Sequence, residues 1–154
     1  MVAEVTDANV ITFIVSDPRS VGFSAIRAAH PGDDNALIVA ASSTDGPGSG
    51  TVGADPITSS DLLDLVAAGD FSAMNSAQLA QLQTILSAGS VNIGQSASQA
   101  KLDSLFANFA TTKATLQSNY TRPASPWEVY FGAGQAPTIS ILDHARNSGS
   151  GNNF

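Results

Sequence analysis

An all-α fold, built as a single domain of about seven to nine short helices, is what this sequence predicts, and three observations predict it. Helix-start signals recur along the chain: a Ser, Thr or Asn is followed three residues later by an acid or Gln at Thr58/Asp61, Asn75/Gln78, Ser96/Gln99 and Ser125/Glu128. After each start the apolar residues return at helical spacing instead of alternating. Gly and Pro gather between these stretches, above all in one loop over residues 42–56.

Along the chain, the first third is the hardest to read. Residues 10–15, Val-Ile-Thr-Phe-Ile-Val, are β-branched and unbroken, which favours a buried strand by propensity. Against a strand, Asp7 is placed to cap a helix, Asp17-Pro18 is a natural stop, and no later segment offers a strand partner. A helix is therefore preferred. Val21, Phe23, Ile26 and Arg27 suit a second helix, and residues 32–42, with Leu37, Ile38 and Val39, a third, its cap supplied by the Asp33-Asp34-Asn35 stretch.

Residues 42–56 hold too much Gly, Pro and Ser to pack as an element, so they are expected to form an exposed loop that moves or is held by a partner. Thr58 opens a short helix through Leu62, Leu63, Leu65 and Val66. Asn75 opens one over residues 76–88, with Leu79, Leu82, Ile85 and Leu86 at helical spacing and Gly89 at its left-handed end. Ser96 opens the next, which carries Leu102, Leu105, Phe106 and Phe109. Residues 111–120 use Ala114, Leu116 and Tyr120. Ser125 with Pro126 at the first helical position opens a short helix that Gly132 and Gly134 end. Thr138 starts the last, with Ile139, Ile141 and Leu142 inward. The domain is expected over residues 1–146 and a flexible tail over 147–154, ending on an aromatic, Phe154.

Composition narrows the function classes. Only 12% of residues are charged against 43% hydrophobic, so the surface is poor in charge and suited to meeting other protein. The net charge of −7 is uneven, with ten acids against Arg19 and Arg27 in residues 1–70 and near neutrality beyond. Without a cluster of cations to displace counterions, direct nucleic-acid binding is not expected. There is no Cys, which excludes disulfides, thiolate metal sites and a cysteine nucleophile. No apolar stretch is long enough to span a bilayer, and the acidic start Met1-Val2-Ala3-Glu4 is unlike a signal peptide, so neither secretion by that route nor membrane anchoring is expected.

Specific chemistries fit poorly. The glycines of residues 46–53 lack the Gly-Lys-Ser/Thr of a phosphate loop, and no Lys precedes Lys101. Asp33-Asp34-Asn35 lacks calcium-loop spacing, and His30 and His144 are far apart in sequence. Asp143 and His144 are neighbours on a helix and point apart, so one does not orient the other for nucleophilic catalysis. No catalytic, cofactor-binding or metal residue is assigned, and no cofactor or small-molecule substrate is expected. Trp127, Tyr130 and Phe131 form the densest aromatic group. They read either as core of a short helix or as partner contacts, with Phe154 a further docking candidate.

Several segments together resemble a family of small helical proteins encoded by tailed bacteriophages and prophages near their virion structural genes. These are Asp17-Pro18 through Gly22-Phe23, Leu37 to Ala41, Ile57 to Leu63, Phe71 to Gln78, Leu86 to Val91, Ser125 to Gly132, and Thr138 to Arg146. Pro126 and Trp127 depart from the Arg-Ala usual in that family, and residues 42–56 look like an enlarged loop. The resemblance implies a non-enzymatic virion component of the neck, head–tail connector or tail. Such a protein would assemble in the host cytoplasm as a homo-oligomeric ring or lattice with neighbouring virion proteins. A capsid decoration protein is the alternative, and a monomeric adaptor or inhibitor of a host protein is a reading from another class.

Overall fold

The computed structural model describes residues 2–148 and 154. Ten helices and four short strands follow one another among these residues. They are α1 (Asp7–Ser16), α2 (Phe23–Ala29), α3 (Asp34–Ser42), β1 (Gly50–Gly53), β2 (Ile57–Thr58), α4 (Ser59–Asp64) and α5 (Ala68–Ala73). After these come α6 (Ser76–Leu86), β3 (Ser90–Val91), α7 (Ser96–Leu105), α8 (Ala110–Ser118), β4 (Thr121–Ala124), α9 (Pro126–Phe131) and α10 (Ile139–Asn147). The protein is thus mostly helical with a small amount of strand. Short strands were not expected: β1 pairs with β4, and β2 pairs antiparallel with β3 in the register Ile57 to Val91 and Thr58 to Ser90. Strands this short carry no alternating pattern for a sequence to display.

Two clusters of buried residues replace the single core expected for this length. The chain forms one compact unit from residues 1–52 and 123–154, and a second from residues 53–122.

In the first unit, α1 settles the ambiguity of residues 10–15 as helix. Thr6, one residue before the expected Asp7, is its cap, with Thr6 Oγ1 accepting from the Asn9 amide. Val10, Ile11, Phe13 and Ile14 are buried on one broad helical stripe, whereas Thr12 and Val15 of the same run are exposed. Phe13 is the centre: its ring lies 5.1 Å from Phe23, 5.3 Å from Trp127, 5.2 Å from Tyr130 and 5.5 Å from Phe131. Leu37, Ala41, Leu142 and Ala145 complete the cluster.

Asp17 ends α1 in the left-handed region (φ 46°) and turns its carboxylate onto the start of α2. The amides of Val21, Gly22 and Phe23 donate to it at 2.7, 2.7 and 3.3 Å. Gly22, at the cap position of α2, has no side chain to do this, so Asp17 supplies the cap from five residues upstream. Asp33 caps α3 as expected, accepting from the Asn35 and Ala36 amides.

The loop after α3 is held within its own unit. Arg19 donates from Nε and Nη2 to the Gly48 carbonyl at 3.1 and 3.0 Å. A Cβ on Gly48, whose φ is +79°, would come within 2.5 Å of the Arg19 carbonyl oxygen. The composition of residues 42–56 therefore encodes close approach and a short strand, and does not make a free excursion.

In the second unit, the boxes at Thr58/Asp61 and Asn75/Gln78 form as expected, and the one at Ser125/Glu128 forms likewise in the first unit. The expectation at Ser96 is corrected: Gln95 holds the cap position without a side-chain bond, and Gln99 donates to the Ile93 carbonyl instead. Helix α8 also has no cap of its own. Asp70, on α5, accepts from both the amide and the hydroxyl of Thr112 at 2.9 and 2.7 Å, and Thr112 Oγ1 accepts from the Ala67 amide at 3.0 Å. Thr112 is fully buried and takes the inward place expected of Ala114, which is exposed. Leu62, Leu82, Leu102, Phe106 and Leu116 form the core, with Ile93 and Tyr120. The Tyr120 hydroxyl donates to Asp103 Oδ1 at 3.0 Å.

Backbones meet without intervening side chains at Gly53 and Gly94. A Cβ on Gly94 would lie 2.2 Å from the Ala54 carbonyl oxygen, whereas one on Gly69 in α5 would meet nothing within 4 Å.

Three outcomes follow from this packing. Asp17→Ala leaves three amides without their acceptor and is expected to destabilise the first unit by about 1–3 kcal/mol, Asp17→Asn by less. Urea titration followed by fluorescence of Trp127, the one tryptophan of the chain, reads this directly. Gly94→Ala should cost roughly 3 kcal/mol, the upper end for forcing atoms into a filled site. Gly69→Ala should be neutral or stabilise by up to about 1 kcal/mol, and thermal melts of the pair separate close approach from helix propensity.

The Tyr120 phenol is pushed well above its usual range, first by burial, then by its bond to Asp103 and that carboxylate's charge. A raised folded pKa gives stability that is complete below the unfolded value near ~10 and is lost as pH rises past it. Stability of the second unit should therefore fall above that pH, and fall less steeply in Tyr120→Phe, in urea titrations at stepped alkaline pH.

Candidate interaction surfaces

The four residues singled out as possible partner contacts divide when their surroundings are seen. Trp127 is fully buried and Phe131 nearly so, their rings 4.3 Å apart in the first core. Of the two readings open for them, core and partner contact, their burial in the core is what the structure has, and neither side chain is exposed. The local reason is α9 itself: Ser125 and Pro126 start the helix so that residues 127 and 131, one turn apart, face the same way, toward Phe13. Tyr130 is half-buried beside them, and its carbonyl accepts from the Ala3 amide at 2.9 Å.

Phe154 is half-buried on the rim of the same core. The Arg146 guanidinium carbon stands 5.2 Å from its ring centroid, and Arg146 Nε donates to its carbonyl oxygen at 2.9 Å. Arg146 is itself fixed by a forked contact with both Asp34 carboxylate oxygens and by Asp143 Oδ1 at 3.3 Å. Its pKa is raised, chiefly by the bond to Asp34, with burial opposing. The expected flexible tail is thus not uniform. Asn147 belongs to α10, the Ser148 hydroxyl donates to the Ala145 carbonyl, Phe154 is docked, and residues 149–153 lie outside the described residues.

Surfaces that the sequence did not single out carry exposed apolar side chains. In the first unit these are Val2 and Val5 before α1 and Val15, Val39 and Ile139 on helices, with Val39 69% exposed; in the second they are Leu63, Phe71 and Leu79. Ile139 is the one of these expected inward from its spacing, while Leu63 and Leu79 belong to expected helices. Each lies beside a residue or turn that does face the core, such as Leu62 or Leu82, and short helices bury only a narrow stripe. The second unit also has an open groove of about 740 Å³ over α6, β3 and α7, floored by Ile85, Val91, Leu102 and Leu105 and carrying one charge, Lys101.

The titratable groups come together in pairs. His144 Nδ1 lies 2.8 Å from Asp7 Oδ1, so the partner of His144 comes from α1 and not from adjacent Asp143. Ser140 shares the shallow depression around His144, but no hydrogen bond joins the two. A nucleophile–base contact is therefore missing among the described residues. No group of three or more His, Asp or Glu converges for a metal among them either. None of the helices is long and apolar enough to cross a membrane.

No family model, curated protein or solved structure matches the chain.

Proposed function

We propose that this chain is a non-enzymatic structural protein of a tailed-phage particle, placed at the neck, head–tail connector or tail, where it assembles with copies of itself and with neighbouring virion proteins. The observation that supports this best is the exposure of large apolar side chains on both units: Val15, Val39 and Ile139 on one, Leu63, Phe71 and Leu79 on the other. Single exposed apolar residues are ordinary. Six on short helices, in a chain with 12% charged residues, leave a surface suited to lasting contact with protein. The resemblance of segments 17–23, 57–63 and 125–132 to the phage family gives the setting. The assembled form would form by burial of those side chains, without a cofactor, a substrate or nucleic acid.

Native mass spectrometry and light scattering of the purified protein are expected to show multiples of the chain mass. Val39→Asp with Ile139→Asp should shift the population toward monomer while circular dichroism stays helical. A wild-type chain that remains monomeric at every concentration, and is absent from purified particles, would overturn the proposal. Gold labelling in particles then separates a neck or tail position from one on the capsid surface.

A further inference from the structure

Phe154 sits in a pocket of the first unit without filling it. A cavity of about 270 Å³ remains beside the ring, walled by Arg27, Pro31, Leu37 and Arg146. Arg27 Nε is buried in that wall and has no acceptor among the described residues. Arg146 is held by Asp34 and Asp143, so the cation that meets the ring and the donor that meets its carbonyl are positioned by carboxylates from α3 and α10. The sequence joining α10 to Phe154, residues 148–153, is Ser-Gly-Ser-Gly-Asn-Asn. It offers no apolar side chain, so Phe154 alone is the anchor of this stretch.

We propose that the pocket is a docking site for Phe154 of a second copy of this chain, and that the contact within one chain is the unassembled form of the same pairing. This rests on the assembly reading above. An aromatic ring stacked under one guanidinium, with one carbonyl held by Nε, makes the same contacts whichever chain delivers it. Exchange between copies therefore keeps these contacts, and local concentration together with any further contact the pocket offers decides it. Covalent linkage supplies a chain's own ring at an effective concentration on the order of millimolar, which neighbours in a packed array equal or exceed. The unfilled volume and the unpartnered Arg27 Nε give an arriving chain room and a donor for one of its backbone carbonyls. Exchanged reciprocally between two copies the pairing closes a dimer, and passed on from copy to copy it closes into a ring or runs on as a filament.

The test places a benzophenone-bearing phenylalanine analogue at position 154 in the full chain, mixes ¹⁵N-labelled with unlabelled protein, and irradiates the assembled fraction. Mixed-isotope cross-links onto the peptide carrying Arg27 and Leu37 are the expected result. Phe154→Ala and Arg146→Ala are each expected to raise the concentration for half-assembly at least tenfold, with Trp127 fluorescence unchanged in the Phe154 variant. Assembled protein that gives only same-isotope cross-links, or that assembles equally well as Phe154→Ala, overturns this inference and leaves the assembly reading standing. A chain that is monomeric at all concentrations overturns both.

Discussion

The ring of Phe13 is the contact on which the first unit depends, because it joins two stretches of chain that are remote in sequence. Phe13 and Phe23 come from residues 1–52, whereas Trp127, Tyr130 and Phe131 come from residues 123–154. Three of these partners stand edge-on to Phe13 and Tyr130 is tilted, and aromatic pairs add about 0.5–1.5 kcal/mol each beyond the burial of their area, so four partners around one ring concentrate much of the unit's cohesion there. Residues 53–122 are enclosed between those stretches and build a core of their own, with no aromatic hub and with leucines at its centre. A chain organised this way cannot complete its first core until residues 123–131 have been delivered. The topology thus sets a high sequence separation for its most valuable contacts.

Short helices make the accounting of backbone ends severe, since each leaves amides and carbonyls without partners inside the helix. Where the local sequence supplies a Thr, Asn or Ser at the right position, the end is closed locally, as at Thr58, Asn75, Ser125 and Thr138. Where it does not, a carboxylate arrives from elsewhere. Asp17 closes α2 across a left-handed turn, and Asp70 closes α8 from 42 residues away through Thr112. The second kind of cap does more than satisfy amides. It fixes the position of one helix against another, which a local box does not. The acid-rich first half of the chain, with ten Asp and Glu in residues 1–70, is in this sense partly structural: Asp17, Asp33, Asp34, Asp61 and Asp70 all accept from named donors within the fold.

How far the fold was legible follows from this division. Local boxes were readable because both partners lie within four residues of one another. The Ser96/Gln99 pair shows the limit, since the same letters occur there and Gln99 bonds the Ile93 carbonyl instead. Helix α1 was ambiguous because its exposed positions, Thr12 and Val15, are β-branched like its buried ones, which hides in the letters the periodicity that distinguishes helix from strand. Residues 42–56 were misread as an excursion because composition reports backbone freedom, whereas the Gly48 contact with Arg19 uses that freedom for close approach. The second core was invisible, because nothing in the spacing of Leu62, Leu82 and Leu102 says that they meet one another and not Phe13.

The aromatic group at residues 127–131 carries the most general lesson. Density of Trp, Tyr and Phe in sequence marks large apolar area, and a core and an interface compete for it on equal terms. The core takes Trp127 so completely that its indole N–H is buried without an acceptor among the described residues, a cost of about 1–3 kcal/mol. That cost is tolerated only because the ring's burial against Phe13 and Phe131 outweighs it. Once Trp127 and Phe131 are committed inward, exposed apolar surface is left to residues that a helical stripe did not accommodate, Val39, Phe71 and Leu79 among them, with Phe154 half-buried on the rim. A small chain with two cores commits most of its large side chains to folding, and the apolar surface among the described residues is what the narrow helical stripes leave over.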